Sequence, residues 1–366
     1  MATELREQYG KEVPRAIAKM IVAVHPAFPE KVFLHDALAG YAPLSLTARG
    51  SHIAAALHKH LPQDYPKAVV ILLASATQAH DYRGGMGSFL FMPHLLFVAR
   101  FGLDHFEESM RAQHALTQLF TAEFSIRAFL EKHPARTLAR LRQWATDPSE
   151  HVRRLVSEGT RPRLPWAARL RAFQQDPRPV LELLELLKDD PALYVRRSVA
   201  NNLNDIGKDH PKILTTVAKR WLRGASAERQ WIVRHALRSA VKRADAGALA
   251  ALGYGAKADV GVRQVSIAPA RVTIGGSVSV SFELVNKAAK RQRVMADLVV
   301  HFVKSRGTGA KTFKLRAVDL PPRGHVVLSK KITLQQLTTR KHYAGVHRVD
   351  ALLNGGVRPL GKFVLV

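Results

Sequence analysis

Val195-Arg196-Arg197-Ser198-Val199-Ala200-Asn201-Asn202-Leu203-Asn204-Asp205-Ile206-Gly207-Lys208-Asp209-His210-Pro211 reads as one helix of a stacked array with a proline behind it. Val195, Val199, Leu203 and Ile206 follow i, i+4, i+8, i+11, the spacing of one buried helix face. Arg197, Asn201, Asn204 and Asp205 fall on another face, so guanidinium, amide and carboxylate are expected to project together into a groove for an anion. The pattern occurs upstream as well. Asp147-Pro148 before Val152-Arg153-Arg154-Leu155-Val156-Ser157-Glu158 aligns with Asp190-Pro191 before Val195 to Asn201 at an offset of 43. Looser copies begin at Val233 and at Glu123, and amphipathic runs over 178–188 and 213–222 supply second helices. Drifting periods near roughly 40 residues are those of HEAT-type helix pairs.

This pattern holds to about Lys242; a small-residue stretch then leads to a region with period two. Ser277–Leu284, Ala296–Val303, Val326–Leu328 and Lys362–Val366 read as strands separated by Gly, Pro and basic turns. The expected architecture is mainly α: a curved HEAT-like helical-repeat solenoid of about six repeats over 1–250, a linker at 251–257, and a small all-β immunoglobulin-like sandwich over 258–366.

Fifty-six Lys and Arg against 29 Asp and Glu give a net charge of +27, while 47% hydrophobic residues suffice for packed cores. Such an excess implies a polyanionic partner. Nucleic acid is favoured over a membrane, because the basic residues are spread through every segment instead of forming one polybasic tract. No apolar run reaches the roughly 20 residues of a spanning helix, and Glu4 and Glu7 do not suit a signal peptide, so a cytoplasmic protein is expected. The absence of cysteine excludes disulfides, thiolate nucleophiles and Cys-ligated zinc. From residue 258 onward there are 19 Lys or Arg against 5 Asp or Glu, with Lys304, Arg306 and Lys311 on a hairpin tip and further basic loops at 287–293 and 338–341. Charges on edge strands can serve only to block aggregation. A net +14 on one small domain exceeds that need and fits loops that enter a DNA groove.

Leu119 to Arg127, Val152 to Trp166 and Val195 to Pro211, followed by the basic sandwich, resemble the DNA-alkylation-repair glycosylases built from HEAT-like repeats, specifically the AlkC branch with a C-terminal immunoglobulin-like domain. The resemblance implies excision of cationic N-alkyl purines such as 3-methyladenine from duplex DNA, as part of base excision repair, without flipping the base into a pocket. It singles out Glu123, Glu158, Asp205 and Trp166 as the catalytic positions.

The residues make chemical sense of that activity. An alkylated adenine is already cationic and leaves as a neutral base, so no general acid is needed. Positive charge growing on the sugar is best met by carboxylates. Glu158 lies one turn after Arg154, Asp205 occupies a comparable face one repeat later, and Glu123 opens the repeat before. Plainer readings are an i−4 pair of Glu158 with Arg154, a helix-end pair of Asp205 with Lys208, and first-turn capping by Glu123 after Thr121. Trp166 follows Pro165 in an Arg-rich loop and suits stacking on the nucleotide; Trp144, Trp221 and Trp231 read as packing residues. No second aromatic for the lesion stands out. Arg154, Arg161 and Arg197 are expected on phosphates, with Lys304, Arg306 and Lys311 from the sandwich. No His-Glu-x-x-His pair occurs and His80, His94, His105 and His114 are scattered, so neither metal nor cofactor is expected. Gly84-Gly85-Met86-Gly87 lacks the ending of a nucleotide loop and reads as a turn. The expected protein is a monomeric alkylpurine DNA glycosylase acting on double-stranded DNA. The alternatives are a non-enzymatic binder of bent or damaged DNA, and an RNA-binding or scaffolding solenoid.

Overall fold

The computed structural model describes residues 7–78, 85–254, 258–336 and 341–366. Glu4, His80, Gly84, Lys257 and positions 338–340 of the expected basic loop lie outside them. Fifteen α-helices occur among the described residues: α1 (Glu12–Val24), α2 (Glu30–Leu38), α3 (Leu46–His60), α4 (Tyr65–Ala76), α5 (Met92–Phe101), α6 (Phe106–Leu116), α7 (Ser125–Lys132), α8 (Pro134–Trp144), α9 (Glu150–Gly159), α10 (Arg171–Gln175), α11 (Arg178–Leu187), α12 (Leu193–Asp209), α13 (Pro211–Leu222), α14 (Ala227–Lys242) and α15 (Ala246–Ala251). None is long and apolar enough to cross a membrane. His-Pro opens both α8 and α13, with His133 and His210 at the N-cap, so the proline behind the opening motif stops one helix by starting the next.

The chain divides into two compact units, 1–209 with 226–236, and 210–225 with 237–366. In the first, the motifs related by the offset of 43 become α9 and α12, which pack directly on each other, with α11 against both. Val195, Val199, Leu203 and Ile206 are at most 1% exposed, each worth roughly 1.5–3 kcal/mol of burial. The opposite face departs from expectation. Arg197 is exposed, but Asn204 and Asp205 are buried, because α12 has neighbours on more than one side and keeps only a narrow strip in solvent. A second stripe, Ser198, Asn202 and Asp205, is turned onto the end of α9: Asn202 donates to the Ser157 carbonyl at 2.7 Å and to Thr160 Oγ1 at 3.1 Å.

The second unit holds the strands β1 (Val260–Ala268), β2 (Arg271–Val272), β3 (Ser277–Asn286), β4 (Gln292–Val303), β5 (Thr308–Leu320), β6 (His325–Thr333), β7 (Gly345–Leu353) and β8 (Gly356–Leu365). They form a three-stranded sheet, β1-β3-β6, and a five-stranded sheet, β2-β8-β7-β4-β5. All pairs are antiparallel except β2 with β8. Val280, Phe282, Leu298, Val300, Val349 and Phe363 are among the alternate residues that fill the shared core. α13 and α15 belong to this unit: they pack together, the Arg293 guanidinium lies 5.1 Å from the Tyr254 ring centre, and Thr312 Oγ1 donates to the Lys242 carbonyl at 3.4 Å. The basic hairpin turns at 304–307, where Lys304 N donates to the Gly307 carbonyl at 3.0 Å and Gly307 takes φ 71°. Lys311 belongs to β5, opposite Val300, and not to the tip.

Candidate active site

Helix α9 ends at Gly159, where a Cβ would come within 2.4 Å of Ile126 on α7, so only glycine permits this approach. Glu158 therefore sits in the last turn, where the helix dipole disfavours a carboxylate. Three groups compensate. Arg161 Nη1 donates to Glu158 Oε1 at 2.6 Å, Ser198 Oγ donates to Oε2 at 2.6 Å, and Arg154 Nη2 stands 3.7 Å from Oε1. The same Arg161 donates through Nε at 2.8 Å, and Nη2 lies 2.7 Å away, to Asp205 Oδ2, while Lys208 holds Oδ1 at 2.7 Å. Glu158 and Asp205 thus share one guanidinium from opposite edges. Glu123 is tied to Thr121 Oγ1 at 2.8 Å and to Arg154 Nη1 at 2.7 Å.

Glu123, Glu158 and Arg161 form the polar edge of a cleft of about 310 Å³ whose apolar lining includes Phe89, Phe120, Phe124 and Leu164. Phe89 and Phe120 meet with ring centres 4.9 Å apart. Trp166 also lines it, 80% exposed and in the left-handed region at φ 66°, a conformation that costs a bulky residue energy. Tyr194, at 39% exposure, places its ring 5.2 Å from the Arg154 guanidinium. Burial raises its phenol pKa, opposed by Arg154 and assisted by Glu123 and Glu158. Among the described residues no group of His, Asp and Glu is arranged to hold a metal ion.

Residues 261–366 match a family model described as the C-terminal Ig-like domain of the uncharacterised protein YhaZ. Over 357 residues the chain is 36% identical to the uncharacterised protein YhaZ of Bacillus subtilis (strain 168), covering 97% of each. The Pseudomonas fluorescens alkylpurine DNA glycosylase AlkC, solved bound to DNA containing an abasic site analogue, matches with a TM-score of 0.93 at 40% identity over 100% of both chains. The chain belongs to the AlkC family.

Within this AlkC framework the sequence-derived residues separate into groups. Glu123, Glu158 and Trp166 line one cleft. Asp205 joins them only through Arg161 and is itself 1% exposed. The plainer pairings exist alongside: Glu123 with Thr121 and Asp205 with Lys208 are both made, and the contact of Glu158 with Arg154 is its longest. Arg154 and Arg161, expected on phosphates, are both turned toward carboxylates. Their side chains are 15% and 9% exposed and already engaged by carboxylates, so neither presents a bare cation to solvent. Arg197, Lys304 and Arg306 are exposed, and Lys311 is half-buried with Nζ 4.9 Å from the Phe313 ring centre. Trp144 and Trp221 are core residues as expected; Trp231 is not, being half-buried and stacked on His235 at 5.0 Å. The sequence reading missed the aromatic wall of Phe89, Phe120 and Phe124, and Tyr194. Phe120 and Phe124 flank Glu123 within the Leu119–Arg127 motif and could have been found there; Phe89 is brought in only by the fold.

Proposed function

We propose that this chain hydrolyses the N-glycosidic bond of cationic alkylated bases such as 3-methyladenine in double-stranded DNA, without cofactor and without flipping the base into a pocket. The observation that carries this reading is Glu158, whose two carboxylate oxygens are each fixed by a donor at the edge of a cleft beside an exposed tryptophan. As the C1′–N bond breaks, the base departs neutral and the sugar becomes cationic. A preorganised carboxylate stabilises that charge without reorganising, and orients the attacking water. Glu123 assists from the same edge. Asp205 acts through Arg161, holding the guanidinium that fixes Glu158, and is a positioning residue. Trp166 presses on the lesion nucleotide. Exposed Arg197 and the 304–311 hairpin contact phosphates, so that the basic sandwich supplies grip and the helical part supplies chemistry.

The test is chromatography of bases released when excess protein is incubated with methylated duplex DNA. Release of 3-methyladenine is expected. Binding of the duplex with no base released at any protein excess would instead make the chain a non-enzymatic binder of damaged DNA.

A further inference from the structure

Arg127 closes the Leu119–Arg127 motif but does not line the cleft. It projects from α7, is 6% exposed, and among the described residues has no carboxylate within ion-pair distance. Its guanidinium instead donates to three main-chain carbonyls: Nη1 to Gly159 at 3.2 Å and to Arg161 at 2.8 Å, and Nη2 to Ala168. Burial among carbonyls brings its pKa down to about 10, partly offset by Glu131 and Glu123. Those carbonyls are informative. Gly159 follows Glu158, Arg161 is the shared counter-ion, and Ala168 lies two residues beyond Trp166, so one planar fork closes both ends of the segment that carries the indole. The segment's own main-chain bonds are few and long, Ala167 N to the Leu164 carbonyl at 3.4 Å and Leu170 N to the Pro162 carbonyl at 3.3 Å. A second tether is the pair Arg163–Asp209. A left-handed tryptophan persists only where its surroundings over-determine the backbone.

We propose that Arg127 is a positioning residue for the reaction: it holds the 159–168 segment so that Trp166 and Glu158 face the same nucleotide. This rests on the glycosylase reading above. Lysine keeps the charge but not the fork, since a point ammonium cannot span carbonyls that diverge around a planar guanidinium. Arg127→Lys is therefore expected to melt cooperatively, to accelerate hydrogen exchange across 160–170 but not across α12, and to leave duplex affinity within about twofold. Its single-turnover excision should fall roughly 10- to 100-fold, as for a misplaced reacting group. In a Trp166→Ala background the same change should cost clearly less than in the parent, because only its hold on the Glu158 end remains to be lost. Unchanged exchange across 160–170, or a loss that multiplies with that of Trp166→Ala, overturns the proposal. If Arg127→Lys does not fold, Arg127→Gln serves the same comparison, and failure of both to fold assigns Arg127 to stability alone. If the parent protein releases no base, the reading of the site fails, while the exchange measurement still decides whether Arg127 orders the loop.

Discussion

Arg161 makes the two carboxylates it joins unequal. Glu158 lines the cleft and Asp205 reaches it only across the guanidinium, so Glu158→Gln should lower single-turnover excision on the order of 10²-fold, and Asp205→Asn by less. Neither should weaken binding to duplex DNA, since neither carboxylate can attract a phosphate; a loss of affinity at constant rate would assign both residues to structure. The tryptophans divide in the same manner. Trp166→Ala, at 80% exposure, should reduce excision with little change in melting temperature, whereas Trp221→Ala, at 2%, should destabilise by roughly 3–5 kcal/mol. A stable Trp221→Ala or an unfolded Trp166→Ala would reverse these roles. Glu123, Glu158 and Trp166 stand out in the sequence because a carboxylate in an arginine-rich stripe and an indole after a proline are chemically out of place, and the fold brings all three to one cleft. The pairing of Arg154 and Arg161 was not legible for the converse reason: a sequence shows that a cation is present but not that a carboxylate already holds it.

At the level of elements, helices could be placed wherever apolar residues recur at helical spacing, and the two helices related by the 43-residue offset, α9 and α12, pack on each other. The polar stripe of α12 could not be apportioned, because burial of Asn204 and Asp205 depends on how many neighbours the helix acquires. Strand β5 was passed over for a related reason. Its alternation is blurred, with exposed Lys314 and Arg316 beside the half-covered Phe313 and Leu315 and only Val318 and Leu320 buried, and the bulge opposite Ala296 and Asp297 shifts its register on β4. That bulge leads to a prediction. Asp297 accepts from Leu315 N at 3.4 Å and is 4% exposed, and burial raises its pKa above the ordinary 3.8. The unfolded chain then ionises first as pH rises, so the aspartate lowers stability progressively above pH 3.8 and the deficit persists at neutrality. Asp297→Asn should consequently melt higher than the parent at pH 7, with the gap closing toward pH 3. An equal gap at both values, in paired thermal melts, would show that ionisation is not the cause.

For the whole molecule, the division between grip and chemistry can be tested by neutralising the hairpin. Lys304, Arg306 and Lys311 replaced together by Gln should flatten the slope of log affinity against log salt by about 0.9 for each phosphate no longer neutralised, with excision at saturating protein unchanged. An unaltered slope would remove these residues from the DNA interface. Cutting the chain at the end of the expected 251–257 linker would not separate two independent parts. α13 and α15 share a compact unit with the strands, so truncation would strip Tyr254 of Arg293 and the end of α14 of Thr312, and a fall in helix stability is expected together with any weakening of binding. Composition revealed the basic sandwich; it could not reveal where the helices cease to be independent of it. The pairing of Glu123 with Arg154, of Glu158 with Arg161, and of Asp205 with Arg161 and Lys208 bears on how such a protein would search a genome. Each anion is already paired, so on the reading proposed above an ordinary duplex meets no bare negative charge at the cleft. On that same reading, a cationic alkylated base adds a positive charge to that balanced cluster, so that damaged and undamaged bases differ there by one unit of charge.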